Sequence, residues 1–261
     1  MTDKTTDFGF KKVPIHEKVT RVGQVFHSVA GKYDLMNDLM SLGTHRIMKR
    51  ILVEMTALRP GDRVLDLAGG TGDLASLLSP LVGNEGMVVL SDINASMLSV
   101  GRDKLIDKGI VGNIHYAQAD AESLPFAPNS FECITLAFGL RNMTDKHKAL
   151  GACLNALKPD GRLLVMEFSK PGNPLLKGAY EQFQSLWPGL GKMVTGDEES
   201  YRYLVESIHM HPSQEALLQL MQTAGYHSCT WQNLLGGIVA IHQGFKPGES
   251  VDRQADSKET S

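Results

Sequence analysis

The sequence predicts an α/β fold built on a doubly wound, mostly parallel sheet of seven strands. Three observations carry this. Strand-like runs alternate with helical runs from residue 62 to residue 168. The first of these strands ends in a turn holding three glycines. The chain then closes on two short runs joined through Gly236-Gly237, which read as a terminal antiparallel hairpin. Strands alternating with helices imply a parallel sheet with right-handed crossovers.

Taken in order, residues 1–12 read as loose, and residues 17–58 carry a helical pattern in which Val22, Val25, Phe26 and Val29 recur at helical spacing. A helix is expected over 46–56, and Arg59-Pro60-Gly61 breaks the pattern. Strands follow over 62–67, 87–92, 113–118, 131–138 and 162–168, with helices over 73–81, 95–108 and 145–157 between them. The fourth strand is so rich in apolar residues that it should be buried on both faces. The stretch from Ser169 to about Ser207 holds five glycines, three prolines and several aromatics, and reads as an insertion over the site. A helix over 213–224 has Pro212 near its start and Gly225 past its end. The terminal runs span 226–234 and 238–243. The expected organisation is an N-terminal helical cap (1–60), the main domain (61–246, with the lid at about 170–207) and a polar, disordered tail (247–261).

A chain of 261 residues suits one large domain with added caps. Its net charge of −3 provides no strong positive field, so nucleic acid is not an expected partner. Cys133, Cys153 and Cys229 lie far apart without a CxxC pair, which fits buried thiols in a reducing compartment rather than a disulfide framework or a zinc site. No apolar run approaches the ~18 residues of a membrane helix, and the N-terminus lacks the apolar core of a secretory signal. The expected location is the cytoplasm, with contact at the inner face of a membrane left open, since surface contact needs no spanning segment.

The central motif is Val64-Leu65-Asp66-Leu67-Ala68-Gly69-Gly70-Thr71-Gly72-Asp73-Leu74. Glycines let a ligand approach the backbone closely, and the helix start offers free N–H groups. Gly70-Thr71-Gly72-Asp73-Leu74-Ala75 formally matches the dinucleotide fingerprint, so a nicotinamide or flavin enzyme is a rival reading. Asp66 and Asp73 argue against it, because both place negative charge where a pyrophosphate would sit. S-adenosylmethionine fits better: it carries an ammonium and a sulfonium and no phosphate. A tight turn with no ligand is the plain alternative. Asp92 ends the second strand, 20 residues after Gly72, where a carboxylate can accept from both ribose hydroxyls; its plain alternative is a helix N-cap. Asp120, in the loop after the third strand, could hold the adenine amino group, with Ile93, Ala121 and Leu124 as apolar walls; by itself that loop is an ordinary solvated acidic one.

These residues resemble the class I methyltransferases, whose fold is Rossmann-like. A closer resemblance is carried by Phe26-His27-Ser28-Val29-Ala30, by Tyr33 to Ser41 with His45, by Phe138-Gly139-Leu140-Arg141-Asn142, by Leu164 to Pro171, and by Ser200-Tyr201-Arg202-Tyr203-Leu204 with His211-Pro212. From about Phe8 to Lys246 the chain is similar to the ubiquinone/menaquinone biosynthesis C-methyltransferases. It departs from the usual pattern at Ala68 and Asp160, where glycine is common, at Met48 for tryptophan, and at Asn155-Ala156 for arginine-valine. The resemblance implies ring-carbon methylation of a demethylmenaquinol and of a polyprenyl methoxy-benzoquinol, with S-adenosylmethionine as methyl donor. By matching position, cofactor residues would be Thr71, Asp92, Asp120 with Ala121, and Ala137, beside Asp66, Ala68, Gly70, Gly72 and Ile93 from the motif reading.

A ring carbon is a poor nucleophile, so the quinol must lose a hydroxyl proton, and the protein must align the reactants, exclude water and assist a base. The chemistry as such needs no metal. The candidate region is Arg141, Asn142, Tyr201, Arg202 and His209. Arginine keeps its proton and would stabilise a phenolate; Asn142 could bond a quinol oxygen; of the five, only the histidine titrates near neutrality. Tyr201-Arg202-Tyr203 could equally be a stack that fixes the lid. Val22, Val25, Phe26, Leu35, Met36, Leu39 and Met40 could line an isoprenoid channel or simply be core, and Lys11, Lys12, Lys18 and Arg21 could meet anionic lipid or face solvent. A second copy of the chain, or a complex for quinone biosynthesis, completes the candidate partners.

Overall fold

A computed structural model describes residues 5–29, 37–38 and 40–248. Most of the Tyr33–Ser41 motif, including Leu35, Met36 and Leu39, and the tail beyond Gly248 lie outside the described residues.

The sheet has seven strands: β3 (Arg63–Leu67), β4 (Met87–Asp92), β5 (Ile114–Gln118), β6 (Phe131–Ala137), β7 (Leu157–Phe168), β8 (His227–Leu234) and β9 (Val239–Phe245). Their order is β5-β4-β3-β6-β7-β9-β8. The first five run parallel, and β9 and β8 join antiparallel, as the terminal hairpin required. The chain winds outward from β3 through β4 to β5, then returns to place β6 on the other side of β3. That reversal is the switch point, where a crevice opens outside the carboxyl ends of the strands.

Period-two alternation splits the core into two layers. Val64, Leu164 and Met166 face one side with Leu74, Leu78 and Leu105. Leu65, Leu67, Leu163 and Val165 face the other with Leu150, Cys153 and Met221. Each such fully buried side chain contributes about 1.5–3 kcal/mol. The layers are built by α2 (His45–Met55), α3 (Asp73–Val82), α4 (Ala95–Asp107), α5 (Lys146–Ala156) and α9 (Gln214–Thr223). Asn94, Asp145 and Ser213 cap three of these helices by accepting from their first free amides.

Three features differ from the sequence reading. Residues 5–12 are not loose: β1 (Thr5–Phe8) and β2 (Lys11–Pro14) pair antiparallel ahead of α1 (Ile15–Val29), so the N-terminal cap is a hairpin plus helices. The fifth strand of the main sheet, β7, starts at Leu157 rather than Arg162. Its Lys158-Pro159-Asp160-Gly161 segment forms an irregularity opposite Phe131/Cys133, with Asp160 at φ 60°, a geometry that suits the glycine usual there. The insertion is itself helical: α6 (Pro174–Ser185), α7 (Trp187–Thr195) and α8 (Glu198–Met210). These three pack around Trp187, Tyr201, Leu204 and Ile208, with Met40. No helix among the described residues is long and apolar enough to cross a membrane.

Candidate active site

The crevice holds two adjoining cavities that share Phe26, Ala68, Gly70 and Phe138 as walls. One lies toward β4 and β5 and is lined by Asp92, Ile93, Asp120, Ala121 and Asn142. The other lies toward β6 and β7 and is lined by Asp66, Thr71, Ala137, Arg141 and His45, with Met40, Met48, Phe168 and Leu204. Helix α1 covers the first cavity with Val19, Val22, Gly23 and Phe26. It is fastened there by Lys18 Nζ donating to the Met143 carbonyl at 3.1 Å and by Asn94 Nδ2 donating to the Gly23 carbonyl at 3.1 Å. Lys18 is therefore buried and not a lipid contact; burial and the neighbouring Lys146 bring its pKa down to about 8.

The glycine turn is held from inside by two carboxylates. Asp66 is fully buried and accepts from Ala75 N at 3.1 Å and from the Thr135 hydroxyl at 3.0 Å. Its charge faces the second cavity, but both its oxygens are already engaged in fastening β3 to α3 and β6. Burial raises its pKa to about 7, against the Thr135 bond that lowers it. A carboxyl raised in this way stabilises the fold at low pH and loses that contribution as pH climbs through about 7. Asp66→Asn cannot ionise; its one oxygen keeps the Ala75 amide, and its NH2 donates to a Thr135 hydroxyl turned to accept. The difference in melting temperature, wild type minus variant, should therefore fall between pH 5 and pH 8; a constant difference would mean an ordinary carboxyl at Asp66.

Asp92 takes the Gly70 amide on Oδ2 at 3.0 Å and the Asn94 amide on Oδ1 at 2.9 Å. The N-cap of α4 is Asn94, so Asp92 is not the cap. Burial raises the Asp92 pKa against these amide bonds. Asp73 pairs with Lys49 at 2.7 Å and with Lys104 at 2.6 Å. Burial works against its ionisation, yet the two lysines hold its pKa well below the usual carboxylate range. Asp73 is thus neutralised, and the argument against a pyrophosphate rests on Asp66. Gly72 lines neither cavity: at φ 76° it begins α3 and packs behind the turn against Leu105.

Ala68 adopts φ 52° at the mouth of the turn. A Cβ built on Gly139 would lie 2.6 Å from the Ala68 Cβ, so an alanine at one position requires a glycine at the other. Gly139→Ala should cost about 1–3 kcal/mol by overpacking, and adding Ala68→Gly should recover most of it. Thermal melts of the single and double variants check this, and additive losses would refute the coupling.

Of the five candidate catalytic residues, two reach the crevice. Arg141 is buried; Nη1 donates to Glu167 Oε1 at 2.7 Å and to the Phe138 carbonyl, and its own amide meets Glu167 Oε2 at 3.0 Å. Its guanidinium lies 5.4 Å from the centre of the Phe168 ring. Asn142 Oδ1 accepts from the Tyr203 hydroxyl at 3.0 Å, and Tyr203 stacks on Phe8 of the hairpin at 4.3 Å. The remaining three do not reach it. Tyr201 is buried in the lid cluster against Gly191, Arg202 pairs on the surface with Glu198, and His209 is exposed beside Phe10. Glu167 and Lys49 were not among the residues singled out. The signal for Glu167 was present, since a lone acid within the apolar run Leu163 to Phe168 must be paired.

A switch-point crevice with a glycine turn, an acidic residue closing the second strand and a neighbouring aromatic cavity defines the class I methyltransferase fold. Solved structures agree on the fold. The [4+2]-cyclase SpnF superposes with a TM-score of 0.64 at 18% identity over 87% of this chain and 95% of that one. A SAM dependent methyltransferase from Aquifex aeolicus gives 0.60 at 16% identity over 82% and 97%. Within that class the assignment narrows, because residues 15–246 match the model of the ubiE/COQ5 methyltransferase family. The chain is 59% identical over 245 residues to the ubiquinone/menaquinone biosynthesis C-methyltransferase UbiE of Teredinibacter turnerae, covering 94% of this chain and 98% of that protein. It is 59% identical to the Pseudomonas paraeruginosa protein of the same name, over 94% and 96%. The chain belongs to the ubiE/COQ5 methyltransferase family.

Proposed function

We propose that this protein methylates a ring carbon of a polyprenylated quinol in menaquinone or ubiquinone biosynthesis, with S-adenosylmethionine as donor. The observation that carries the reading is the second cavity. Phe26, Met40, Met48, Phe138, Phe168 and Leu204 give it apolar and aromatic walls, and Arg141 is its fixed cation. Such a cavity suits a flat, apolar ring bearing oxygen atoms. Family membership points to the same substrate class.

The crevice fits the donor. The Asp92 carboxylate closes the first cavity as a diol acceptor, Ile93 and Ala121 offer apolar walls, and Asp120 stands at the rim; Gly70 and Thr71 lead to the Asp66 side, where an ammonium meets negative charge. When bound, S-adenosylmethionine supplies an electrophilic methyl group. The chain's own residues do the rest. Arg141, held by Glu167, favours negative charge on a quinol oxygen. Asn142, whose Oδ1 is occupied by Tyr203, presents its amide hydrogens as donors. Helix α1 and the lid exclude water. A long isoprenoid tail calls for contact with a bilayer, and Leu175, Leu186 and Met193 on the lid are exposed apolar side chains suited to that contact.

The test is mass spectrometry of quinones after incubation with S-adenosylmethionine and a reduced demethylmenaquinol. The expected result is a gain of one methylene on the ring. Cofactor binding without any gain would refute the quinol as acceptor.

A further inference from the structure

We infer that His45 is the general base that removes the acceptor's hydroxyl proton, an inference that rests on the proposed quinol acceptor. His45 opens α2 and is buried in the wall of the second cavity, which it shares with Arg141, Phe168 and the glycine turn.

Its tautomer follows from the hydrogen bonds around it. Ser41 has one hydroxyl proton, and it donates that proton to the Asn37 carbonyl at 2.6 Å. The Ser41 oxygen also lies 2.8 Å from His45 Nδ1. With its proton already committed, Ser41 can only accept there, so Nδ1 carries the hydrogen. Nε2 is then the nitrogen with the free lone pair, and among the described residues it has no protein hydrogen-bond partner. Behind the ring, Asp38 Oδ1 stands 3.7 Å from Nδ1, and Arg46 fixes Asp38 through two bonds of 3.1 and 2.6 Å. A histidine in the cavity wall, with one ring nitrogen unpartnered among the described residues, the other bonded to an orienting hydroxyl and a carboxylate behind it, has the parts a base needs.

The groups facing His45 keep it in the base form. Burial lowers its pKa first and Lys49 second; Asp38 and Asp73 oppose them, and Arg46 adds a small lowering. The other ionisable groups of this cavity are committed: Asp66 to Ala75 and Thr135, Lys49 to Asp73, and Arg141 to Glu167. His209, exposed on the far face of α8, has no access to it.

In the step itself the acceptor's O–H bond breaks and an Nε2–H bond forms. The electron pair stays on oxygen and is delocalised onto the ring carbon. The resulting imidazolium sits against Asp38, and the phenolate faces Arg141. After the ring carbon is methylated, that carbon loses its own proton to water and the imidazolium returns its proton to the oxygen. One proton reaches solvent per turnover.

Two measurements test this. In wild-type protein carrying ¹⁵N-histidine, NMR should show His45 neutral at pH 7 with the proton on Nδ1; a proton on Nε2 overturns the inference whatever the activity. His45→Gln should lower kcat at pH 7 about 100- to 1000-fold, with the Kd for S-adenosylmethionine within about threefold. Its rate should climb about tenfold per pH unit toward the acceptor's own phenol ionisation near 10, and imidazole should restore activity to His45→Ala. A glutamine variant with wild-type kcat and an unchanged pH profile overturns the inference. Failure of wild-type protein to methylate the quinol strikes the acceptor reading instead, and the tautomer measurement distinguishes the two.

Discussion

Arg141→Ala is expected to lower stability by about 3–5 kcal/mol, because it strands Glu167 as a buried carboxylate without its counter-ion. For a chain of this size that is a fall in Tm of roughly 6–20 °C. Burial already raises the Glu167 pKa, and Arg141 is the main influence holding it down. Without Arg141 it rises further, so the variant's deficit should be largest at high pH and shrink as the pH falls and the carboxyl protonates. His211, 4.0 Å from Glu167, cannot replace the arginine, since burial and nearby cations hold its pKa well below the usual value. Arg141→Ala with Glu167→Gln should recover most of the stability. Methyl transfer should stay about 100-fold down in that double variant, because the cation facing the acceptor oxygen is still missing. Melting curves across pH and turnover of both variants decide it. Full turnover with intact cofactor binding would leave Arg141 a purely structural residue.

The double variant matters because the sequence makes Arg141 look simpler than it is. The loop after β6 marks it as a candidate cation, yet its partner Glu167 lies 26 residues away and meets it only because β6 and β7 are neighbours. Local patterns carried the sheet well: continuous apolar runs at 131–138 and 162–168 are what strands buried on both faces require. They placed the glycine turn beside Asp92 too, since a strand-turn-helix unit keeps such groups together in sequence as well as in space. The lid was harder. Over Tyr201 to His209 the motif reads as one constellation, but a helix separates it by phase. Tyr201, Leu204 and Ile208 follow at three- and four-residue steps and face the core. Arg202 and His209, seven apart, share the outer face. Helical periodicity applied to this segment would have set them apart. The hairpin at 5–14 had no such signal. Its strands are short and polar, and its distant anchors are Phe8 on Tyr203 and the Phe10 amide on Glu206.

Asp92→Ala is expected to weaken binding of S-adenosylmethionine at least 100-fold. Charge-assisted hydrogen bonds contribute about 1.5–3 kcal/mol each, and a diol would place two on this carboxylate. The protein side adds to the loss. Asp92 also accepts from Gly70 N, so its removal frees the turn that lines both cavities. Asp92→Asn separates the two contributions: its side-chain oxygen can still hold the Gly70 amide, but the amide lacks the charge and offers one acceptor oxygen in place of two. An asparagine variant with a sound fold and weak binding assigns the effect to the diol; one that binds as tightly as wild type would reduce Asp92 to a fastener of the turn. Acidity should imitate the substitution. Burial raises the Asp92 pKa, and a bound diol favours the charged form, so binding must take place against protonation. Affinity measured by calorimetry should therefore decline as pH falls through the raised pKa in wild type, and stay flat over the same interval in Asp92→Asn.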